Sequence, residues 1–190
     1  PKAKLVIAKV LDDEGMGDPR RTAQGIRYCI NKKCDIINCS IAGPMDNELE
    51  DAINEAYSNG IIVVSATGND GKNMLLYPAS YLNCLSVGSI NKSLEVSPFS
   101  NYNVFMTMVA PGEDIIFDIN GEKIKDSGTS FSAPLVSGTL ALLKEKLKEE
   151  LGRKPKYSEL YNELIKNCVI VNNIDMIKQG HGHLDFSAKA

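Results

Sequence analysis

Ile61-Ile62-Val63-Val64-Ser65-Ala66 is a run of β-branched and small residues without polar alternation. Such a run is typical of a strand that other elements cover on both faces, as in a parallel sheet. Before it, Asp46 and Asn47 can cap a helix that runs to Asn59. Gly60 then stands where a helix end favours a left-handed residue. A helix followed by a doubly covered strand predicts an α/β fold with a parallel sheet.

The apolar periodicity elsewhere predicts further elements on both sides of this strand. These are strands over residues 4–11, 35–41, 84–90 and 107–110, a hairpin over 115–126, and helices over 21–32, 130–150 and 157–167. Asn120-Gly121 marks the hairpin turn, because both turn positions need positive φ. We expect one domain over residues 1–190, with helices flanking the sheet in three layers.

Composition excludes several classes of protein. The 190 residues are 43% hydrophobic, which is enough for a sizeable core without disulfide bonds. The net charge of -3 comes from interspersed charges, so we expect no nucleic-acid partner. Because no apolar run approaches the ~20 residues that cross a bilayer, we expect no membrane partner either.

The cysteines favour an intracellular location, which the sequence otherwise leaves open. Their number is odd, and none shows a Cys-x-x-Cys or metal-ligand spacing, so buried reduced thiols are favoured over a disulfide or a metal site. The five residues are Cys29, Cys34, Cys39, Cys84 and Cys168. Since the chain opens on Pro1 and leads directly into a strand pattern, we expect it to be a piece of a longer protein.

One segment places a serine at the start of a predicted buried helix. It reads Gly128-Thr129-Ser130-Phe131-Ser132-Ala133-Pro134-Leu135-Val136-Ser137-Gly138. Free N–H groups and the positive end of the dipole at a helix N-terminus favour a developing oxyanion. Taken alone, Thr129 or Ser130 could equally be an ordinary helix cap.

The whole segment resembles the nucleophile signature of the subtilisin-like serine peptidases, and it matches every specified position with Ser130 as the nucleophile. Residues 35–44 resemble the family strand that ends in a substrate-binding segment, and residues 66–70 resemble the turn whose Asn donates to the oxyanion. Further family landmarks follow in the right order, at residues 77–79, 99–101, 109–112 and 180–188. The resemblance therefore covers essentially the whole chain.

This resemblance implies catalytic roles for Ser130 and for Asn69 as an oxyanion donor. It also implies an extended edge that pairs with a peptide or protein substrate, opposite a second wall. The substrate-binding residues would be Ser40, Ile41, Ala42 and Gly43 on the edge, and Ala66, Thr67 and Gly68 on the wall.

The family's catalytic Asp and His motifs are missing from this sequence. The only histidines are His181 and His183, which we expect in an exposed turn, with weak metal binding and a displaced general base left open as alternatives. A serine without a base is a poor nucleophile.

In the family, the strand that carries the catalytic Asp lies between the strands that residues 4–11 and 35–41 resemble. We therefore expect a sheet incomplete at its N-terminal part, with these two strands pairing directly or an N-terminal segment or symmetry copy complementing them.

The resemblance implies a serine endopeptidase of the subtilisin type, acting through an acyl-enzyme on Ser130, with this chain inactive by itself. The alternative is a pseudopeptidase that binds a peptide or protein without cleaving it. A flavodoxin-like domain is disfavoured, because the acidic residues 12–15 would repel phosphate.

No cofactor is expected. The family's weak cation site would use the backbone of Ala79, Tyr81 and Cys84, but Thr107 stands at its acidic position, so we expect no tight binding.

Overall fold

The computed structural model describes residues 3–187, so that Ala188, the end of the last family landmark, lies outside the described residues. The elements are α1 (Pro19–Asn31), β1 (Ile36–Cys39), α2 (Asn47–Ser58), β2 (Ile62–Ala66), β3 (Cys84–Ile90), β4 (Met106–Pro111), β5 (Ile115–Ile119), β6 (Glu122–Asp126), α3 (Thr129–Leu151), α4 (Tyr157–Lys166), β7 (Cys168–Val169), α5 (Met176–Gln179) and β8 (His183–Leu184).

Six of the strands form one sheet, in the order β1-β2-β3-β4-β8-β7. The first five strands in this order run parallel, and β7 is antiparallel to β8. The helices α1 and α2 pack on one face, and α3 and α4 pack on the other. The prediction of a three-layer, mostly parallel α/β fold is confirmed.

The strand β2 supplies side chains to the cores on both faces of the sheet. Val64 packs with Val136 and Leu140 of α3, whereas Val63 packs with Ile26 of α1 and Ile53 of α2. All five residues of β2 are buried. This burial explains why the strand shows no polar alternation.

Most predicted elements form with bounds close to those predicted. Asp46 caps α2, accepting the N–H of Leu49 over 3.0 Å, and β5 and β6 pair around Asn120-Gly121, both with positive φ. The helix α1 begins two residues before the predicted start. Asp18 caps it by accepting the N–H of Arg20, and proline suits its first position.

The prediction of a strand over residues 4–11 is wrong, because this segment joins no ladder of the sheet in the described chain. It lies instead against α1, where Val10 packs so closely on Gly25 that a methyl group there would be 2.5 Å from Val10 Cγ1. Leu5 and Ile7 are 82% and 77% exposed. A strand forms only where a neighbour supplies hydrogen-bonding partners.

The outer edge of β1 is open in the part of the chain that the structure describes. The strand β1 pairs there only with β2, so the expected direct pairing of residues 4–11 with residues 35–41 is wrong. A cavity of about 350 Å³ separates residues 8–12 from Ile41. Complementation of this edge by another segment or a symmetry copy stays a prediction.

No helix within residues 3–187 is long and apolar enough to cross a membrane.

We expect the isolated chain to associate through this edge, because unpaired strand edges beside exposed apolar residues promote intermolecular pairing. The double variant Leu5→Lys/Ile7→Lys should associate less, since charges near an edge oppose pairing. Leu82→Lys is the control, because Leu82 is 86% exposed but lies outside residues 4–11. Light scattering over a concentration series measures the effect. If the unsubstituted chain kept the mass of a monomer at every concentration, the predicted association through the edge of β1 would be wrong.

Candidate active site

Ser130 lies in the first turn of α3. The helix begins at Thr129, and Gly128 holds the N-cap position with an extended backbone at φ 162° and ψ 154°. Because Gly128 holds that position, the alternative in which Thr129 or Ser130 is an ordinary helix cap is wrong. The half-buried Ser130 side chain therefore lies beside the positive end of the α3 dipole.

Pro134 frees the carbonyl of Ser130 from the hydrogen-bond ladder of the helix. Proline has no N–H, and Pro134 stands four residues after Ser130, where that N–H would otherwise bond to the Ser130 carbonyl. The Ser40 hydroxyl donates to this carbonyl instead, over 3.0 Å. The serine is thereby tied to the segment that follows β1.

Within residues 3–187, the Ser130 hydroxyl has no basic partner. It donates to the Ser40 carbonyl over 3.5 Å, at the outer limit for a hydrogen bond. His183 lies in β8, and its ring Nδ1 contacts the Leu184 carbonyl rather than Ser130. Neither histidine therefore contacts the Ser130 hydroxyl in the described residues.

The two histidines differ in setting. His181 is exposed in a turn, as predicted. The prediction of an exposed turn is wrong for His183, which is half-buried in β8 because it pairs with Val109 of β4 and Val169 of β7. Its Nδ1 contacts the Leu184 carbonyl at 3.0 Å.

Thr129 determines how the Asn69 side chain is oriented. Asn69 Oδ1 accepts the Thr129 N–H over 2.9 Å and the Thr129 hydroxyl over 2.8 Å. The Thr129 oxygen in turn accepts the N–H of Gly68 over 3.2 Å. With Oδ1 held in this way, the amide Nδ2 of Asn69 is left to face Gly128. Sequence reasoning missed this role of Thr129, for which the only signal was a hydroxyl residue between Gly128 and the serine.

Two N–H donors border the space beside Gly128. A methyl group on Gly128 would stand 3.3 Å from Asn69 Nδ2 and 3.8 Å from the Ser130 backbone nitrogen. The structure thus brings together the two residues to which the resemblance assigns catalytic roles. Donors that converge in this way can stabilise negative charge on a small oxygen atom.

The edge predicted to bind a peptide is only partly available. Gly43 exchanges two backbone hydrogen bonds with Tyr77, each of 2.9 Å, so its backbone is already paired. Ser40 and Ile41 are half-buried, and Ala42 is exposed. A peptide can therefore pair along residues 40–42, and that binding stays a prediction.

The predicted opposite wall is buried. Ala66, Thr67 and Gly68 all lie in the interior, and the Thr67 N–H donates to the Val87 carbonyl over 3.1 Å. Together with the bond from Gly68 to Thr129, this ties the wall to β3 and α3. Its contact with a peptide stays a prediction.

The predicted cation position uses three backbone carbonyls, those of Ala79, Tyr81 and Cys84. The Tyr81 carbonyl already accepts the Cys84 N–H over 3.1 Å. Thr107 accepts the Ser86 N–H through its hydroxyl oxygen over 3.0 Å. In the described range, no group of three His, Cys, Asp or Glu side chains could hold a metal ion. The expectation that this position does not bind a cation tightly stays a prediction.

Residues 1–182 match the family model described as Subtilase family. The chain belongs to the subtilase family. This subtilase chain is 40% identical over 196 residues to the Major intracellular serine protease of Bacillus subtilis (strain 168), a match that covers 99% of the chain and 61% of the relative. It is 36% identical over 148 residues to Subtilisin BL of Lederbergia lenta, covering 77% of the chain and 55% of the relative.

Solved structures show the same fold. The Prenylagaramide maturation protease PagA superposes with a TM-score of 0.83 at 32% identity, over 92% of this chain and 67% of that one. The Patellamide maturation protease PatA superposes with a TM-score of 0.80 at 30% identity, over 92% of this chain and 68% of that one. The subtilase chain spans about 61% of the length of the Bacillus subtilis relative.

We expect Gly128→Ala to fold normally and to lose activity in the full-length protein. A φ near 180° suits alanine, but the new methyl group would crowd the Asn69 amide at 3.3 Å. Loss of one oxyanion donor lowers kcat by about 10²- to 10³-fold. Gly138→Ala is the matched control, because a methyl group there meets nothing within 4 Å. Peptide hydrolysis and thermal unfolding measure the two effects. Equal activity in both variants would contradict the convergence of donors at Gly128.

Ser40→Ala should lower the free energy of unfolding by about 1 to 3 kcal/mol, because it leaves the Ser130 carbonyl without its hydroxyl donor. Urea unfolding of the chain measures the change. Ser58→Ala serves as the control, because the Ser58 hydroxyl bonds to the Asn54 carbonyl on an exposed helix surface, where water can replace it. An equal decrease in the free energy of unfolding in the two variants would show that the bond from the Ser40 hydroxyl stabilises the fold no more than an exposed one does.

Proposed function

We propose that this chain is the C-terminal portion of a subtilisin-type serine endopeptidase, which cleaves peptide bonds through an acyl-enzyme on Ser130. The observation that carries the proposal is the convergence of the Asn69 amide and the Ser130 N–H on the space beside Gly128. Relatives named as serine proteases support it.

In the proposed reaction, the Ser130 oxygen attacks the carbonyl carbon of the scissile peptide bond. The hydroxyl proton passes to a base, and the carbonyl oxygen gains negative charge while accepting hydrogen bonds from Asn69 Nδ2 and the Ser130 N–H. Collapse of the intermediate breaks the C–N bond, and the leaving amine takes the proton. Water then attacks the acyl carbon, which releases the acid and restores the Ser130 hydroxyl.

The base must come from residues other than 3–187, because the Ser130 hydroxyl has no basic partner there. We therefore propose that this chain alone is inactive. Removal of the base from a serine triad leaves only the modest catalysis that the oxyanion site and substrate binding provide. The same observation favours a second candidate, a pseudopeptidase that holds a peptide along residues 40–42 without cleaving it.

The proposed partners are a peptide or protein substrate and a segment that complements the open edge of β1. An intracellular location is proposed on two grounds. Two relatives are named as intracellular proteases, and all five cysteines are free thiols, which suits a reducing compartment.

A serine-directed phosphonylating probe tests the proposal in the full-length protein and in the chain of residues 1–190. We expect rapid, stoichiometric labelling of the full-length protein, loss of labelling in Ser130→Ala, and normal labelling in the control Ser58→Ala. The isolated chain should label slowly or not at all, because residues 3–187 place no basic partner at the Ser130 hydroxyl. A full-length protein that binds peptide but neither labels nor hydrolyses it would replace the endopeptidase by the pseudopeptidase.

A further inference from the structure

Cys29 and Cys34 meet at the C-terminal end of α1. Lys33, with φ 57°, adopts the left-handed conformation just beyond the helix. Its N–H donates to the Ile30 carbonyl over 2.8 Å, and the Cys34 N–H donates to the Cys29 carbonyl over 3.1 Å. This pair of bonds defines a Schellman motif, which brings together the side chains at the positions of Cys29 and Cys34. The two thiols lie close enough to affect each other's ionisation.

The two thiols differ in access to solvent. Cys29 is only 8% exposed and packs in the core between α1, α2 and the sheet. Cys34 lies at the rim of the same core and is partly exposed. A reagent in solution therefore reaches Cys34 first, and Cys29 lies directly behind it.

The charges around Cys34 favour an anionic reagent. Lys32 and Lys33 immediately precede Cys34, and Asp35 follows it. The Asp35 carboxylate is paired with Lys144 at 2.7 Å and Lys154 at 3.0 Å. Burial opposes the ionisation of Asp35, but these lysines outweigh burial and hold the pKa of Asp35 below its ordinary value. The charged side chains next to Cys34 in the sequence, together with the two lysines paired with Asp35, therefore carry a net positive charge.

In most proteins, the contact within a Schellman motif is an ordinary apolar one, and a buried cysteine can serve as a small apolar residue. Here Cys29 and Cys34 both carry a thiol, and a reagent in solution can reach that of Cys34. The charged groups near Cys34 have a net positive charge. This combination suits thiol–disulfide exchange better than packing alone does.

We propose that Cys29 and Cys34 are a redox-modified pair, which a small anionic disulfide such as oxidised glutathione converts reversibly into an intramolecular disulfide. The Cys34 thiolate attacks the glutathione disulfide, forming a mixed disulfide and releasing one glutathione thiolate. The Cys29 thiolate then attacks the Cys34 sulfur and releases the second. Two protein thiols are oxidised, one glutathione disulfide is reduced, and the two protons end on the two glutathione thiols.

The second step should be slow at neutral pH. In the reduced protein, burial and then the neighbouring Cys34 thiol raise the pKa of Cys29 to about 11. After the Cys34 thiol has reacted, burial, the larger cause, still raises the pKa of Cys29. The other titratable groups packed in this core are Cys39, Cys84, Tyr77 and Tyr81, and burial raises the pKa values of Cys39, Cys84 and Tyr81 too. Below its pKa, the thiolate fraction of Cys29 rises about tenfold for each pH unit.

The disulfide would act on the connection between α1 and β1. Cys34 stands two residues before β1, and β1 ends at Cys39, immediately before Ser40. A bond from Cys34 to Cys29 would hold the start of this connection against the last turn of α1. Opening of the Schellman motif should then be suppressed, and exchange of the Cys34 amide hydrogen should slow.

The test treats the full-length protein with oxidised glutathione at about pH 7 and maps the modified peptides by mass spectrometry. We expect a glutathione adduct on Cys34 to form faster than one on Cys168, the other half-buried cysteine. The isolated adduct, moved to about pH 9, should close to the Cys29–Cys34 disulfide about 100-fold faster than at about pH 7. Reduced glutathione should restore both thiols.

Two variants control the experiment. In Cys29→Ala the adduct on Cys34 should persist at both pH values. In Cys168→Ser the Cys29–Cys34 disulfide should close at the same rates as in the protein without substitutions. If Cys29→Ala fails to fold, peptide mapping of the unmodified protein still decides the outcome. A Cys34 adduct that never closes, or equal reaction at Cys168 and Cys34, would overturn the proposal.

Discussion

The hydrogen bond from the Ser40 hydroxyl to the Ser130 carbonyl holds the two halves of the site together. It exists because Pro134 has no N–H to offer that carbonyl, so the acceptor turns from the helix toward the strand. In a helix without proline, the same carbonyl would be bonded within α3. Pro134 thus removes one hydrogen bond from within α3 and leaves the Ser130 carbonyl to accept one from Ser40, which follows β1.

The rest of the site depends on where α3 lies. This helix packs against the face of the sheet to which β2, β3 and β4 contribute, and its first turn lies at the carboxyl ends of β1 and β2. Ser40 follows β1 and Asn69 follows β2, so parallel strands deliver both residues to one helix end. Thr129 then uses its N–H and hydroxyl to hold Asn69 Oδ1. The free amide of Asn69 is oriented by this contact rather than by the turn in which it stands.

The sequence predicted those features that local pattern determines. Neighbouring residues alone determine the helix cap at Asp46, the hairpin turn at Asn120-Gly121 and the buried strand β2. The two-residue strands β7 and β8 could not be predicted in this way, because their pairing joins residues 168–169 to 183–184. The strand prediction for residues 4–11 failed for the same reason, since an apolar run becomes a strand only beside a partner. Within the site, the family resemblance predicted roles for Ser130 and Asn69, but the orienting contact with Thr129 spans 60 positions of the chain and leaves no local signature.

Within residues 3–187, the outer edge of β1 has no partner strand and the Ser130 hydroxyl has no basic partner, and these two features lie close together. The cavity beside this edge is bounded by residues 8–12 and Ile41, and Ile41 directly follows Ser40, whose hydroxyl bonds to the Ser130 carbonyl. A segment that paired with β1 would lie one strand spacing away, about 5 Å from the line of β1. Its carboxyl end would then emerge beside Ser40, if it ran parallel to β1 as the neighbouring strands do. A parallel segment that stabilised the sheet there would therefore also be placed to present a side chain to Ser130, so completion of the fold and activation of the serine would be coupled.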